Sequence, residues 1–341
     1  MDFLFLGIIV LMFYGVEFSG TKFFDPTNQK TNKSLRGILA IAIVLFHLSQ
    51  RTSDGLFYHT VMGDSGHLTV SVFFFISGYG LLSQLKNRGG GEYLEDFIKR
   101  RFTSILLPWI IASIMYIAYY VSFDRSTLIE AIGNRQNCFL VIQNSWYMGA
   151  ILVFYFLFWV SYKAFGTNKR ILPILVVLFG ICCYIALAFA CGLGRWWYYS
   201  SLAFVLGLLW KEYENTIIPI EHKWYYFLLI ISILLFSILY YLRNTVGIGL
   251  VSYFVQSFVF PIIIVLVLSK IKLSNKILDF CGGISVEIYL LHELSYTVLR
   301  SSYVYIENDI VFVLFTFGLT LFFATALHQL ENFYAKKNAD L

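Results

Sequence analysis

The chain has 341 residues, of which 59% are apolar and 13% charged, and its formal net charge is +5. A soluble domain is about 45–50% apolar and about 25% charged, so this composition excludes a water-soluble globular protein. It also excludes disordered, collagen-like and coiled-coil chains, because the sequence lacks the charge, the glycine period and the heptads that these classes require. The fold class predicted for what remains is an all-α, polytopic integral membrane helical bundle.

Apolar runs separated by short polar loops extend along the whole chain. A membrane helix needs about 20 residues, because the hydrocarbon core is about 30 Å thick and the rise is about 1.5 Å per residue. We therefore predict about 10–11 transmembrane helices. The runs lie at 3–18, 35–50, 67–85, 104–122, 146–165, 171–191, 196–211, 224–242, 248–269, 284–300 and 310–328.

The basic residues are divided unequally between the two sides of this predicted bundle. Of the 25 Lys and Arg residues, 19 lie on one side and six on the other. The positive-inside rule assigns the richer side to the cytoplasm, so we expect the N-terminus outside and the C-terminus in the cytoplasm. The six residues of the poorer side are Arg51, Arg125, Arg135, Arg195, Arg243 and Arg300.

Short loops leave no room for an appended soluble domain. The predicted organisation is an extra N-terminal membrane helix with a basic cytoplasmic loop (1–34), a membrane core (35–328) and a short cytoplasmic tail (329–341). The cysteines show no spacing typical of a zinc site or a disulfide framework, so neither is predicted. They are Cys138, Cys182, Cys183, Cys191 and Cys281.

The second predicted helix carries two ionisable residues, Arg36 and His47. They are eleven positions apart, which is close to three full helical turns, so both lie on one stripe of the helix. The rise between them is about 16.5 Å, roughly half the hydrocarbon thickness. Arg36 is thus expected at the cytoplasmic mouth and His47 inside the membrane, where an ionisable group indicates either a functional site or a bond to a neighbouring helix.

Further segments follow this pair in a recognisable order. They are VSVFFFISGYGL at 70–81, FIKRRFTSILLPW at 97–109, NSWYMGAILVFY at 144–155, FVLGLLW at 204–210 and ISVEIYLLHE at 284–293. With the Arg36–His47 spacing, this order resembles the acyltransferase-3 family of integral membrane acyltransferases, over about residues 35 to 300. Two positions depart from the family pattern: Ser104 replaces a second arginine of the basic segment, and Ser71 a carboxylate found in many relatives.

The resemblance implies a membrane O-acyltransferase of the bacterial plasma membrane. It would move an acyl group, with acetyl as the expected group, from cytoplasmic acyl-CoA to a hydroxyl of a cell-envelope or exported carbohydrate. His47 would be the general base or would accept the acyl group itself, with Arg36 as its catalytic partner on the donor side. Arg36, Arg100 and Arg101 would bind the phosphates of acyl-CoA, because a guanidinium group binds phosphate bidentately.

Four further residues are predicted to bind the acceptor. Trp146 and Tyr147 begin a helix at the outer face, where aromatic side chains serve either as interfacial anchors or as a platform for a sugar. Tyr289 and His292 belong to a polar stripe on the tenth predicted helix, which indicates either a site or hydrogen bonds between helices.

We expect no permanently bound cofactor and no metal. The expected partners are acyl-CoA as donor substrate, a carbohydrate or glycolipid acceptor, the lipid bilayer and proteins of envelope biosynthesis, without nucleic acid.

Two other classes of polytopic protein remain open. A glycolipid flippase or transporter would be expected to show paired discontinuous helices or matching halves, and the sequence shows neither. A glycan polymerase would be expected to carry a long outer loop, and the longest loop here covers about residues 123–145. Neither class explains the stripe formed by Arg36 and His47.

Overall fold

The structure is a computed structural model of the chain, and it describes residues 1–134, 140–273 and 275–339, with side chains up to residue 333. Arg135 and Cys138, and the final part of the predicted tail at 329–341, lie outside the described residues or side chains.

The described residues form fifteen α-helices and two strands of two residues each. The strands β1 (Glu17–Phe18) and β2 (Ile271–Lys272) pair in the antiparallel direction. The helices are α1 (Asp2–Met12), α2 (Gln29–Ser49), α3 (Leu56–Met62), α4 (Gly66–Asn87), α5 (Gly90–Glu95), α6 (Phe97–Phe123), α7 (Arg125–Gly133), α8 (Trp146–Phe165), α9 (Leu172–Ala190), α10 (Leu202–Glu212), α11 (Glu214–Val246), α12 (Gly249–Leu268), α13 (Lys276–Gly283), α14 (Ser285–Leu299) and α15 (Asp309–Ala339).

Eight helices of the described chain are long and apolar enough to cross a membrane: α2, α4, α6, α8, α9, α11, α12 and α15. The prediction of an all-α polytopic helical bundle is confirmed. The remaining three of the eleven predicted spans form shorter helices, α1 and α10 with 11 residues each and α14 with 15. The backbone explains two of these: Gly15 has a φ of 75° before β1, and Ile284 leaves the helical conformation between α13 and α14.

When α10 and α14 are counted with the eight long helices, successive helices run in opposite directions, and their ends form two groups, here called the His47 end and the Arg36 end. At the His47 end, the Asp309 carboxylate accepts hydrogen bonds from the backbone N–H of Ser53 at 2.8 Å and from Arg300 at 2.6 Å. Arg243 and Asp64 form an ion pair at the same end. These arginines belong to the group that the loop charges predict on the poorer side.

The Arg36 end is joined by a different set of polar contacts. Lys86 Nζ lies 2.8 Å from Glu212 Oε2, and the indole N–H of Trp159 donates to the backbone carbonyl of Leu94 at 3.0 Å. The helix directions agree with the alternation predicted from sequence, while the assignment of this end to the cytoplasm stays a prediction.

The first segment passes from one end of the bundle to the other although α1 is short. Asp2 accepts a hydrogen bond from the backbone N–H of Tyr58 at 2.9 Å, next to the His47 end. Nine residues later, the Leu11 carbonyl accepts from the side-chain amide of Asn275 at 2.6 Å, beside β1 and β2. A turn at residues 13–15 and the strand β1 then follow, where the apolar run predicted a longer helix.

Glycine permits the closest helix contacts near the site. A Cβ on Gly37 would overlap the backbone of Leu278, so α2 and α13 approach closely just beside Arg36. Gly78 and Gly207 likewise allow α4 and α10 to approach closely. A Cβ on Gly78 would overlap the carbonyl oxygen of Phe204, and one on Gly207 would overlap that of Phe75. Small residues are what membrane helices use to bring backbones together.

Replacing Gly207 with alanine is expected to lower the free energy of unfolding by about 1–3 kcal/mol, because the added methyl group forces α10 away from α4. Thermal unfolding of the purified protein in detergent measures the effect as a lower midpoint. Gly318→Ala on α15 is the matched control, since no atom lies within 4 Å of a Cβ added there. Equal midpoints for the two variants would contradict the close approach.

Candidate active site

A cavity of about 230 Å³, here called the arginine cavity, lies in the half of the bundle nearer the Arg36 end. The first halves of α2 and α6 and the first turns of α14 contribute to it, together with the middle of α4 and the beginning of α8. Its polar lining includes Arg36, Ser77, Arg101, Tyr147, Ser285 and Tyr289.

The two arginines of this cavity keep their positive charge uncompensated. Among the described residues, no carboxylate forms an ion pair with Arg36 or Arg101. Arg101 donates instead to neutral oxygens, Gln84 Oε1 at 2.6 Å and the Tyr93 hydroxyl at 3.3 Å, and its Nε is buried without a partner. Two guanidinium groups without a carboxylate partner at one cavity favour the binding of an anion, and above all of a phosphate group.

The local fold of α2 accounts for the position of Arg36. The Asn28 side chain caps the helix by accepting from the backbone N–H of Thr31 at 2.8 Å, which starts the helix two turns before the arginine. Ser34 donates to the Asp279 carboxylate on α13, and Gly37 packs on the same helix. Arg36 is therefore held at the edge of the cavity from both sides.

Arg100 points away from the arginine cavity. Its guanidinium lies 4.9 Å from the ring centre of Tyr93, and it lines a separate groove with Pro108 and Glu331. Consecutive residues of an α-helix are rotated by about 100°, so Arg100 and Arg101 reach different surfaces. Of the three predicted phosphate ligands, Arg36 and Arg101 therefore line the same cavity, and Arg100 does not.

A second cavity of about 280 Å³, here called the histidine cavity, lies in the half nearer the His47 end. The last turn of α2, the first turns of α4 and α8 and the loop before α10 surround it. Its polar and aromatic lining includes His47, Gln50, His67, Asn144, Trp146 and Trp196.

His47 lies beside a second imidazole. The ring centres of His47 and His292 are 5.1 Å apart, and His47 Nδ1 is buried without a hydrogen-bond partner. His292 Nδ1 lies 2.7 Å from the carbonyl oxygen of Tyr289 and 3.2 Å from that of Ile288, and because a carbonyl only accepts, Nδ1 carries the hydrogen. The buried Nε2 of neutral His292 is then a free proton acceptor.

A buried carboxylate follows His292 directly, and sequence reasoning did not select it. Glu293 lies 3.7 Å from the guanidinium of Arg51 and accepts from the side-chain amide of Asn144 at 2.9 Å. Arg51 also donates to the His47 carbonyl at 3.2 Å and covers the ring of Tyr296 at 3.9 Å. A glutamate beside His292 in a membrane helix was the signal for this network, but its partners come from other parts of the chain.

Tyr289 connects the two cavities. It lines both of them, its hydroxyl donates to the Asn144 carbonyl, and its ring lies 5.6 Å from that of Tyr147. Trp146 and Tyr147 are neighbours in sequence but face different spaces, the histidine cavity and the arginine cavity respectively. The four predicted acceptor residues therefore lie at or beside the junction, with His292 against His47.

Another ionisable cluster joins α14 to α15 away from both cavities. Glu287 lies 2.5 Å from His328 Nδ1, and the ligand atoms of these two residues and Glu331 are within 4.8 Å of one another. The contact supplies the partner for Glu287 that the sequence did not indicate. The arrangement is that of a hydrogen-bonded polar contact between adjacent helices.

The comparison with protein families decides the class of this bundle. The family model described as an acyltransferase domain matches residues 33–329, which include both cavities. This chain belongs to the acyltransferase-3 family. The resemblance noted in its sequence motifs is confirmed, and this membrane protein is an acyltransferase. No curated protein and no solved structure matches the chain.

Proposed function

We propose that this acyltransferase transfers an acyl group, acetyl in the simplest case, from acyl-CoA to a hydroxyl group of a cell-envelope or exported carbohydrate. One observation carries the proposal: two cavities meet at Tyr289. One contains Arg36 and Arg101, which have no carboxylate partner among the described residues, and the other is lined by the imidazoles of His47 and His67. The first suits a phosphorylated donor and the second suits the activation of a hydroxyl.

On the donor side, Arg36 and Arg101 would bind phosphate groups of acyl-CoA. The thioester arm would extend along the hydroxyl-bearing side chains of Ser77 and Tyr147 towards Tyr289. The short cavity leaves the adenosine part outside, at the Arg36 end. We assign this end to the cytoplasm of a bacterial cell and place the protein in the plasma membrane, with the C-terminus on the cytoplasmic side.

On the acceptor side, His47 would take the proton of a sugar hydroxyl as the oxygen attacks the thioester carbonyl. The carbon–sulfur bond breaks, and the CoA thiolate leaves and takes up the proton that His47 had received, which restores the neutral imidazole. In the alternative path, His47 itself accepts the acyl group and passes it to the sugar in a second step. Trp146 and Tyr289 would hold the sugar, since both line the cavity beside His47.

Radiolabelled acetyl-CoA, given to the purified protein in nanodiscs with and without envelope glycans, tests this function. We expect label to be transferred to glycan, or the thioester to be hydrolysed slowly without it. The truncated thioester S-acetyl-N-acetylcysteamine is the matched donor control: it lacks the phosphates that the arginines would bind, so we expect at least about tenfold poorer use. Failure to consume acetyl-CoA, succinyl-CoA or a longer acyl-CoA would contradict the proposal.

A further inference from the structure

A third cavity, here called the side cavity, adjoins the histidine cavity at the His47 end. Its volume is about 360 Å³, within the range of small-molecule sites, and it lies between α3, α4, α11 and α12. Eight of its eleven lining residues carry polar side chains, among them Thr60, Asp64, His67, Ser237, Arg243 and Gln256. Most of the accessible surface of its wall is nevertheless apolar, so the cavity suits a ligand with both polar groups and apolar faces, as a sugar ring has.

The wall between the two cavities is formed by His67, which lines both of them. Its Nε2 is buried without a hydrogen-bond partner. Its backbone is held by Ser200, whose hydroxyl donates to the His67 carbonyl at 2.7 Å, and its ring packs against that of Tyr253 at 4.8 Å. A ligand that extends beyond the histidine cavity would pass this side chain.

The charges of the side cavity compensate each other. Arg243 forms an ion pair with Asp64, and its guanidinium lies between the rings of Tyr240 and Tyr253, at 4.8 Å and 4.6 Å. A phosphate would meet the Asp64 carboxylate next to the arginine, which disfavours an anionic ligand. The lining therefore suits a neutral ligand that both donates and accepts hydrogen bonds.

Gln256, a residue of this cavity's wall, has a side-chain donor that no described residue uses. The residue is fully buried, and its Oε1 accepts from Arg243 Nη1 at 3.3 Å, while its Nε2 has no partner. A buried amide N–H without a partner is costly, so a ligand oxygen at this point would be bound favourably. Sugar hydroxyls satisfy both requirements, because each can accept from the amide and donate to the Asp64 carboxylate.

We propose that the side cavity is a second sugar subsite, which binds the residue next to the acylated one in a carbohydrate acceptor of at least two residues. This inference rests on the proposed function, since it needs a carbohydrate acceptor at His47. The acylated sugar would occupy the histidine cavity, and its neighbour would lie beyond His67 against Gln256, Asp64 and Arg243.

The test compares acceptors of one and two residues. Methyl hexosides, methyl N-acetylhexosaminides and the corresponding disaccharides are supplied with radiolabelled acetyl-CoA to the wild-type protein and to Gln256→Leu. We expect wild type to prefer a disaccharide, and Gln256→Leu to lose about tenfold of kcat/KM for it while use of the monosaccharide stays unchanged. Ser257→Ala, at the next buried position of α12, is the matched control and keeps the preference.

A second variant keeps the inference open to refutation if Gln256→Leu does not fold. Ser237→Phe narrows the side cavity from an exposed position of α11 and is expected to reduce disaccharide use in the same way. Transfer without any advantage of disaccharides in wild type, or an equal loss for both acceptor lengths in the variants, would overturn the subsite. A wild-type protein that consumes no thioester would instead refute the proposed function, and the subsite with it.

Discussion

Replacement of His47 by alanine is expected to lower kcat for acyl transfer by about a thousandfold, which is within the range that general-base catalysis contributes. The reason is the position of the side chain: it lines the histidine cavity, its Nδ1 has no partner among the residues that the structure describes, and its ring lies beside that of His292. The variant is assayed with acetyl-CoA and glycan, and its yield and unfolding midpoint are measured in parallel.

The matched control for this variant is His222→Ala. The His222 ring stacks on Phe23 at 3.9 Å and lines neither the arginine nor the histidine cavity, so its loss is expected to leave the transfer rate unchanged. Full activity of His47→Ala would contradict the assigned role. Should His292→Ala be inactive while His47→Ala is active, the base would be His292.

The same experiment separates the two chemical paths open to His47. If the imidazole accepts the acyl group, wild-type protein retains label from acetyl-CoA when glycan is absent, and His47→Ala does not. If it acts only as a base, neither protein retains label, although only wild type transfers it to glycan. Label retained equally by both proteins would place the acyl group on another residue.

The sequence was sufficient for the features that lie within a single helix. Arg36 and His47 are both on α2, as their spacing predicts, and Tyr289 and His292 belong to one continuous helix, α14. Helical periodicity carries this information, because it sets which residues share a face without reference to any neighbour.

Contacts between helices could not be predicted in this way. His47 meets His292, and Glu293 meets Arg51, through the packing of α2 against α14, and no local pattern in either helix specifies that pairing. The separate directions of Trp146 and Tyr147 follow from the rotation per residue, but which of them faces which cavity depends on the helices around α8.

The length of α1 shows a different limit of the sequence. Its apolar run extends to residue 18, which predicted a helix of that length, yet the helix ends at Met12. Pairing of Glu17 and Phe18 with Ile271 and Lys272 takes the last residues into an extended conformation. Hydropathy records only that a segment is apolar, whereas the strand depends on a partner about 250 positions away.

On the donor side, the structure separates Arg101, which lines the arginine cavity, from its neighbour Arg100, which lines another groove. Arg101→Lys is expected to raise the KM for acetyl-CoA at least about tenfold, because an ammonium group cannot replace a planar fork that binds phosphate bidentately. Arg100→Lys, at the adjacent position but facing another groove, is expected to change this KM less than about twofold, as typical of an exposed charge. Steady-state kinetics with varied acetyl-CoA at saturating glycan measures both.

The truncated thioester shows whether the effect acts through phosphate. S-Acetyl-N-acetylcysteamine carries no phosphate, so wild type and Arg101→Lys are expected to use it equally, and the difference between them appears only with acetyl-CoA. If Arg100→Lys instead raises the KM more than Arg101→Lys, the donor binds in the groove beside Tyr93 and Glu331. The thioester would then have to approach His47 from outside the arginine cavity, and Arg36 would lose its assigned role together with Arg101.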